Sequence, residues 1–451
     1  MNRYLTGLLL VVLAFKLGLF LSYTNGLSGV DIGGYLMSAY GWIEEQPNAD
    51  LSRPIFSPGL VLLPFIFVFG DFYGYAIWTV LSTLPAAAGV YLLLTHFNTN
   101  TKVAAAVAFL YAINPWDMMM IVWGTTTSQG VGLLLLGIYF LLKKREVIGG
   151  VLYGLIPYFS MPISFPAIIL IVPILFYTRS IKFAAVAGLL SLGSLYWSFQ
   201  NAPGSVYGSE DHSLLFFVLS PYLIMAFMLG FIAACKLLYE KYYILAAALL
   251  FLSVVVLLGS SDESIQNMAQ RTAYVVLPLS AIVLFKQWIP KLELKTLPVA
   301  IAALLIIITA VPSWAMQNST TSRYSDDAIA AIERADGKIA TNEFIAALIY
   351  SYELDYMVPY LKLDRMTDDL EILEAGGIHK ENHTIVKCLL ETDCPSRVTH
   401  LKEYPYLLWD RRAYGEWFTG TEHELIENYQ PPAPYELIFS QGTVDLYKVG
   451  I

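Results

Sequence analysis

Asp31 stands alone among apolar and small residues in Val30-Asp31-Ile32-Gly33-Gly34-Tyr35. It is the first place in the chain where acid–base chemistry can sit. A carboxylate partly withdrawn from water has a raised pKa and becomes a better proton acceptor. The same residue is a good N-cap for a helix beginning near Gly33, and one aspartate can fill both roles. Arg53 follows in Arg53-Pro54-Ile55-Phe56-Ser57-Pro58-Gly59. Its planar fork suits a phosphate group, although a proline-rich turn can equally do no more than end a helix. Glu210-Asp211-His212 groups two acids with an imidazole. Such a cluster is most simply a solvated loop, and a metal site needs more ligands nearby. Asp262 and Glu263 precede Arg271 and can pair with it. Lys16 interrupts an apolar run, where a charge is expensive unless it snorkels or finds a partner.

The elements that must hold these residues are membrane spans. With 57% hydrophobic and 14% charged residues in 451, the chain is too apolar for a soluble globule of its length. Apolar stretches recur from Tyr4 to Trp314 and then stop. About eleven spans are expected, at roughly 4–22, 73–95, 103–116, 129–142, 147–160, 163–177, 183–198, 214–236, 243–259, 272–286 and 297–314. Several are short for the membrane core, as happens where broken helices line a cavity. The stretch 59–70 is too short to cross and reads as an interfacial or half-inserted helix. In the segment 34–46, Leu36, Tyr40 and Ile43 share one helical face and Glu44 and Glu45 close its polar end, the pattern of a helix lying in the interface. The fold class is therefore a polytopic α-helical membrane domain, 1–315, whose first outer loop is 24–72. A small α/β domain, 316–451, follows it.

Basic residues orient the chain. With the amino terminus inside, the inner loops carry Arg3, Lys102, Lys143, Lys144, Arg145, Arg179, Lys182, Lys236, Lys241, Lys286, Lys291 and Lys295, and the short outer loops only Arg53 and Arg271. The multi-pass chain is expected in a cell membrane, and an odd span count then puts the C-terminal domain outside. In it Lys338 to Thr341 and Tyr356 to Val358 read as strands, and Phe344 to Tyr350 and Asp368 to Leu373 as helices. Pro434 to Phe439 and Thr443 to Val449 form a hairpin about Ser440-Gln441-Gly442. On that side Cys388 and Cys394 are able to pair. Asn318-Ser319-Thr320 and Asn382-His383-Thr384 fit the glycan-acceptor pattern. A net charge of -9 with no basic run argues against nucleic acid as a partner.

The aspartate just after the first span, Tyr35 four residues on, the interfacial helix, Arg53-Pro54 and the turn Phe69-Gly70-Asp71-Phe72-Tyr73 resemble the GT-C glycosyltransferases. Within that class the similarity is to those using polyprenyl-phosphate sugars, such as the protein O-mannosyltransferases and the lipid A aminoarabinose transferase. Asn114-Pro115 before the fourth span, and Arg271 with Tyr274-Val275-Val276-Leu277-Pro278, are similar too. The sequence departs from the pattern where Ile32 replaces a second acid beside Asp31. Where many relatives begin the fourth span with an aspartate it has Thr127-Ser128-Gln129, with Asp117 off that spacing. Leu408-Trp409-Asp410 is only superficially like the oligosaccharyltransferase motif.

The resemblance implies an inverting glycosyltransferase moving a sugar from a polyprenyl-phosphate donor to a hydroxyl of a glycan, lipid or protein on the outer membrane face. Asp31 would be the catalytic base, with Arg53 and Arg271 binding the donor phosphate. Tyr35, Asp117, Gln129, Glu210, Asp211 and His212 are candidates for positioning substrate. The lipid-linked sugar is a substrate, no cofactor is called for, and a divalent metal is left open. The alternative is a transporter or flippase of lipid-linked glycans, which should show two similar halves and charge at midplane. A non-catalytic scaffold is a third reading.

Overall fold

The computed structural model describes residues 3–21, 39, 58–114, 127–201, 213–259, 263–286, 326–337, 339–341, 405–411 and 435–450. Eleven of the described helices precede residue 287: α1 (Arg3–Leu21), α2 (Pro58–His96), α3 (Thr101–Ala112), α4 (Thr127–Leu142), α5 (Glu146–Gly154), α6 (Ile156–Phe159), α7 (Met161–Thr178), α8 (Ile181–Asn201), α9 (Ser213–Tyr239), α10 (Tyr243–Leu258) and α11 (Glu263–Phe285). The expected span 297–314 lies outside the described residues, as do Tyr356 to Val358, Phe344 to Tyr350, Asp368 to Leu373, Cys388 and Cys394. Ala39, within the expected interfacial helix, is helical and buried.

These helices are apolar on both faces. Val12, Val90, Leu134, Phe183 and Val276 are buried in one continuous core. Leu189, Val172, Phe176, Ile181, Phe67 and Val68 are each at least 60% exposed. A helix that is apolar all round suits a hydrocarbon surrounding rather than water. By length and composition, two stretches among the described residues, Tyr73–His96 and Met268–Phe285, are long and apolar enough to cross a bilayer.

Two breaks follow from backbone chemistry. Gly70, at φ 75 and ψ 175, interrupts α2 in a conformation closed to residues with a Cβ. The chain then turns back closely enough that a Cβ on Gly74 would lie 2.6 Å from the Phe65 carbonyl oxygen. So 59–70 is a separate helical piece, as its length implied. The expected span 147–160 divides into α5 and α6 at Leu155, just before Pro157, which lacks the N–H needed to continue the ladder.

The basic residues gather at one end of the bundle, in tight turns. After α4, Arg145 N–H donates to Phe140 O and Lys144 N–H to Leu141 O, at 2.9 Å each. After α9, Tyr242 N–H donates to Leu237 O and Lys241 N–H to Leu238 O. This is the Schellman pattern, and Asn98 repeats it after α2. Lys144, Lys241 and Arg179 hold the left-handed position that glycine usually takes. A cation at a helix C-terminus meets the negative end of the dipole, which offsets part of that strain. Lys286 pairs with Glu240, and Lys236 donates to Leu284 O at 3.1 Å, so the same end is cross-linked.

Farther along the chain, α12 (Asp326–Ile332) accompanies a four-stranded sheet of order β1-β2-β4-β3. Its strands are β1 (Ile339–Thr341), β2 (Tyr406–Asp410), β3 (Tyr435–Gln441) and β4 (Val444–Val449). The hairpin forms where it was expected, though Ser440 and Gln441 extend β3 and Gly442, at φ +58, makes the turn. β2 pairs parallel to β1 and antiparallel to β4, with Trp409 wholly buried. Tyr406 donates to Asp336, and Lys448 stands 3.8 Å from the same carboxylate. The Tyr406 hydroxyl first, and then Lys448, hold the Asp336 carboxyl below its usual value.

Close helix crossings set the first expected outcome. A Cβ on Gly149 of α5 would lie 2.7 Å from Gly137 O of α4, whereas Gly188 has open space. Gly149→Val should cost about 1–3 kcal/mol and Gly188→Ala little, read as thermal unfolding in detergent. A depressed folded pKa stabilises above the unfolded carboxylate value and is lost as pH falls through the folded one. Asp336→Asn should therefore flatten the acid limb of Trp409 fluorescence against pH.

Candidate functional site

Arg271 and Gln129, two of the residues singled out in the sequence, come together in a polar seam through the apolar bundle. Gln129 Nε2 donates to Ser82 Oγ at 2.9 Å. Arg271 donates to Thr127 Oγ1, two residues earlier on the same α4. Lys16 Nζ donates to Thr83 Oγ1 at 2.8 Å. Because neighbouring residues on a helix point about 100° apart, Ser82 and Thr83 of α2 can engage two different helices, α4 and α1. The seam therefore ties α1, α2, α4 and α11.

All four helices place these side chains at one level. At 1.5 Å per residue, Lys16, Thr83, Gln129 and Arg271 each lie about 20 Å along their helices from the basic end. The seam is dry. Lys16, Thr127 and Thr272 are 0% exposed, and Ser128, Gln129 and Gln270 are buried beside them in sequence. Arg271 keeps partial exposure. Each hydroxyl on α2 also donates back along its helix, Ser82 to Thr79 O at 2.7 Å and Thr83 to Val80 O at 2.8 Å. Their lone pairs are thereby left to accept from Gln129 and Lys16.

Further hydroxyls border the seam. A Cβ on Gly130 would meet Ser160 Cβ at 2.7 Å, so glycine here lets the start of α7 close against α4. Among the described residues the buried hydroxyls of Thr79, Ser160 and Ser164 find no hydrogen-bond partner. Unmet polar capacity in an apolar interior is costly, and it suits a polar ligand. Asp31, Tyr35, Arg53, Asp117, Glu210, Asp211 and His212 lie outside the described residues. Among the described residues no group of three or more His, Cys, Asp or Glu side chains is placed to hold a metal.

Sequence reasoning missed Ser82, Thr83 and Thr127 as partners in the seam. Their signal was faint, because single hydroxyls in apolar helices usually bond their own backbone. The Trp409-Asp410-Arg411 stretch has a structural explanation instead. Trp409 is sheet core, and Arg411 pairs with Asp445 at 3.2 Å.

No protein-family model matches the sequence, and no curated protein matches it. Solved structures share its fold along nearly the whole chain. ArnT, the lipid A aminoarabinose transferase of Cupriavidus metallidurans, bound to undecaprenyl phosphate, is 12% identical. It superposes with a TM-score of 0.55 over 98% of this chain and 97% of that one. The archaeal oligosaccharyltransferase AglB of Archaeoglobus fulgidus, in complex with an inhibitory peptide and a dolichol-phosphate, is 12% identical with a TM-score of 0.52. That match covers 99% of this chain and 74% of AglB. Both are GT-C enzymes, and this chain has their fold.

The seam makes its own prediction. Thr127→Val withdraws an acceptor from a half-buried guanidinium and should destabilise by about 1–3 kcal/mol. Among the described residues Ser253 Oγ donates only to Leu249 O of its own helix, and Ser253→Ala should stay within about 0.5 kcal/mol. Thermal unfolding of the detergent-solubilised proteins compares the two.

Proposed function

We propose that the chain is an integral-membrane, inverting glycosyltransferase that moves a sugar from a polyprenyl-phosphate donor to an acceptor hydroxyl on the outer face of the membrane. The observation that carries this reading is fold likeness over nearly the full length to two GT-C enzymes, each solved with a polyprenyl-type phosphate. The half-buried Arg271, held by Thr127 within an otherwise buried polar seam, supports it, because a departing phosphate is stabilised by positive charge fixed in place beforehand.

In this mechanism the acceptor oxygen attacks the anomeric carbon as Asp31 takes its proton. The bond from that carbon to the phosphate oxygen breaks, and the electron pair leaves with polyprenyl phosphate. One displacement inverts the anomeric configuration. Arg53 and Arg271 stabilise charge on the departing phosphate. Arg271 is aimed by its bond to Thr127, and a guanidinium held in place before reaction costs no reorganisation during it. Gln129 and Tyr35 position the substrates, and Asp117, Glu210, Asp211 and His212 are further candidates for that role. No step requires a cofactor. The chain is read as multi-pass in a cell membrane, with its amino terminus cytoplasmic and residues 316–451 on the outer side as a cover for the acceptor.

The test is mass spectrometry of the purified protein and its retained lipids after incubation with polyprenyl-phosphate sugars and candidate acceptors. The expected result is free polyprenyl phosphate and a glycosylated acceptor, with turnover falling about 10²–10⁴-fold in Asp31→Asn while the protein stays folded. Full transfer by that variant would refute Asp31 as base. Donor retained without turnover under any acceptor would favour the transporter reading.

A further inference from the structure

Two turns at the basic end lie side by side and crowd like charges together. The α4–α5 turn reads Lys143-Lys144-Arg145-Glu146 and the α7–α8 turn Arg179-Ser180-Ile181-Lys182. α5 and α8 run parallel and pack closely. A Cβ on Gly150 would lie 3.0 Å from Phe183 O, and one on Gly154 2.7 Å from Leu190 Cβ. That pairing sets Arg145 level with Arg179. Lys144, Arg145, Arg179 and Lys182 are all exposed. Among the described residues none of the four meets a carboxylate, whereas at the same end Lys286 pairs with Glu240 and Lys236 donates to Leu284 O. Lys144 and Arg179 close helix C-termini, which suits a cation. Arg145 and Lys182 do not: Arg145 caps the start of α5 and Lys182 is the second residue of α8. The dipole there disfavours a cation and favours an anion.

Next to these cations the same two helices turn an apolar surface outward. Val147 and Val151 of α5 are 54% and 37% exposed, and Leu189 of α8 is 73% exposed. At about 100° per residue, Val147 and Val151 stand on the flank of α5 next to Gly150 and Gly154, which touch α8. Lys182 and Leu189 stand on a flank of α8 next to the face that meets α5. Because the helices run parallel, the two flanks open on the same side. We propose that the α5–α8 pair binds an acidic glycerophospholipid of the surrounding membrane, its phosphodiester between Arg145 and Lys182 and an acyl chain along Val147, Val151 and Leu189. The arginine fork matches phosphate oxygens, and a phosphate beside two helix starts meets the favourable end of both dipoles. Charge at the helix ends with apolar surface beside it matches a lipid, head and tail, where a soluble phosphate would use the charge alone. The site lies about 20 Å along the helices from the level of Arg271, and it rests on the membrane setting of the chain rather than on glycosyl transfer.

The experiment uses the full chain in detergent micelles with added palmitoyl-oleoyl phosphatidylglycerol, or phosphatidylcholine of the same chains, and counts bound lipid by native mass spectrometry. The expected result is preference for phosphatidylglycerol, reduced about 10–30-fold by Arg145→Gln with Lys182→Gln, with phosphatidylcholine unchanged. Lys102→Gln with Lys241→Gln removes the same charge from other turns of that end and should leave retention at the wild-type level. If the first pair unfolds below the wild type, Arg145→Gln alone is scored, with about a fivefold loss expected. Equal loss in the two pairs would overturn the site, since the basic end would then attract acidic lipid diffusely. No preference in the wild type, no loss in the first pair, or matching loss of phosphatidylcholine would each overturn it as well. Displacement of the lipid by glycerophosphoglycerol, the headgroup without chains, at the same concentration would overturn the lipid assignment and mark a site for a soluble phosphodiester.

Discussion

An apolar helix bundle offers little water to a polar side chain, so a buried donor is costly unless it finds an acceptor inside the protein. That constraint governs the middle of this structure. Lys16, Gln129 and Arg271 bring donors from three helices, and α2, with the first turn of α4, supplies hydroxyl acceptors at the same level. Ser82 and Thr83 are adjacent, so α2 is the shared rail. Its rotation about its own axis fixes which donor meets which hydroxyl. If α2 turned by one residue, two buried donors would lose their acceptors together. The seam thus specifies helix register as well as any chemistry.

Around the seam, packing depends on closeness rather than on apolar area. The exposed and buried faces of these helices are alike in character, so hydrophobic burial alone does not choose a contact face. Small residues choose it. Gly89 against Leu135 and Gly132 against Pro85 lock α2 to α4, while Gly137 and Gly149 lock α4 to α5. The seam and the α2–α4 glycines act on the same helix pair, and each holds it in the register the other requires.

Arg271 and Gln129 could be read in advance because they are polar exceptions in apolar surroundings, and the basic ends were equally visible as a one-sided distribution. The helical piece before Gly70 and the β3–β4 hairpin followed from length and turn chemistry. Thr83 and Thr127 could not be assigned partners, since in a helix apolar all round the sequence carries no sign of which side faces inward. The division at Leu155 required weighing Pro157 against an otherwise continuous apolar run. β2 was hidden because Tyr-Leu-Leu-Trp is too short a run to separate strand from helix. Asp31 and Arg53 were legible as chemistry and lie outside the described residues, so their place relative to the seam is not part of the structure.

The turns at the basic end bear on how the bundle can move. Between α4 and α5, α7 and α8, and α9 and α10 the connections are two or three residues long, and most are closed by paired backbone hydrogen bonds. Lys286 and Lys236 bolt α11 to α9 at the same end. Helices joined so tightly behave like the legs of a pair of tongs, riveted at that end. Any parting of the helices must then grow with distance from the rivet. It would be small among the lysine turns, moderate at the level of Lys16 and Arg271, and greatest beyond them.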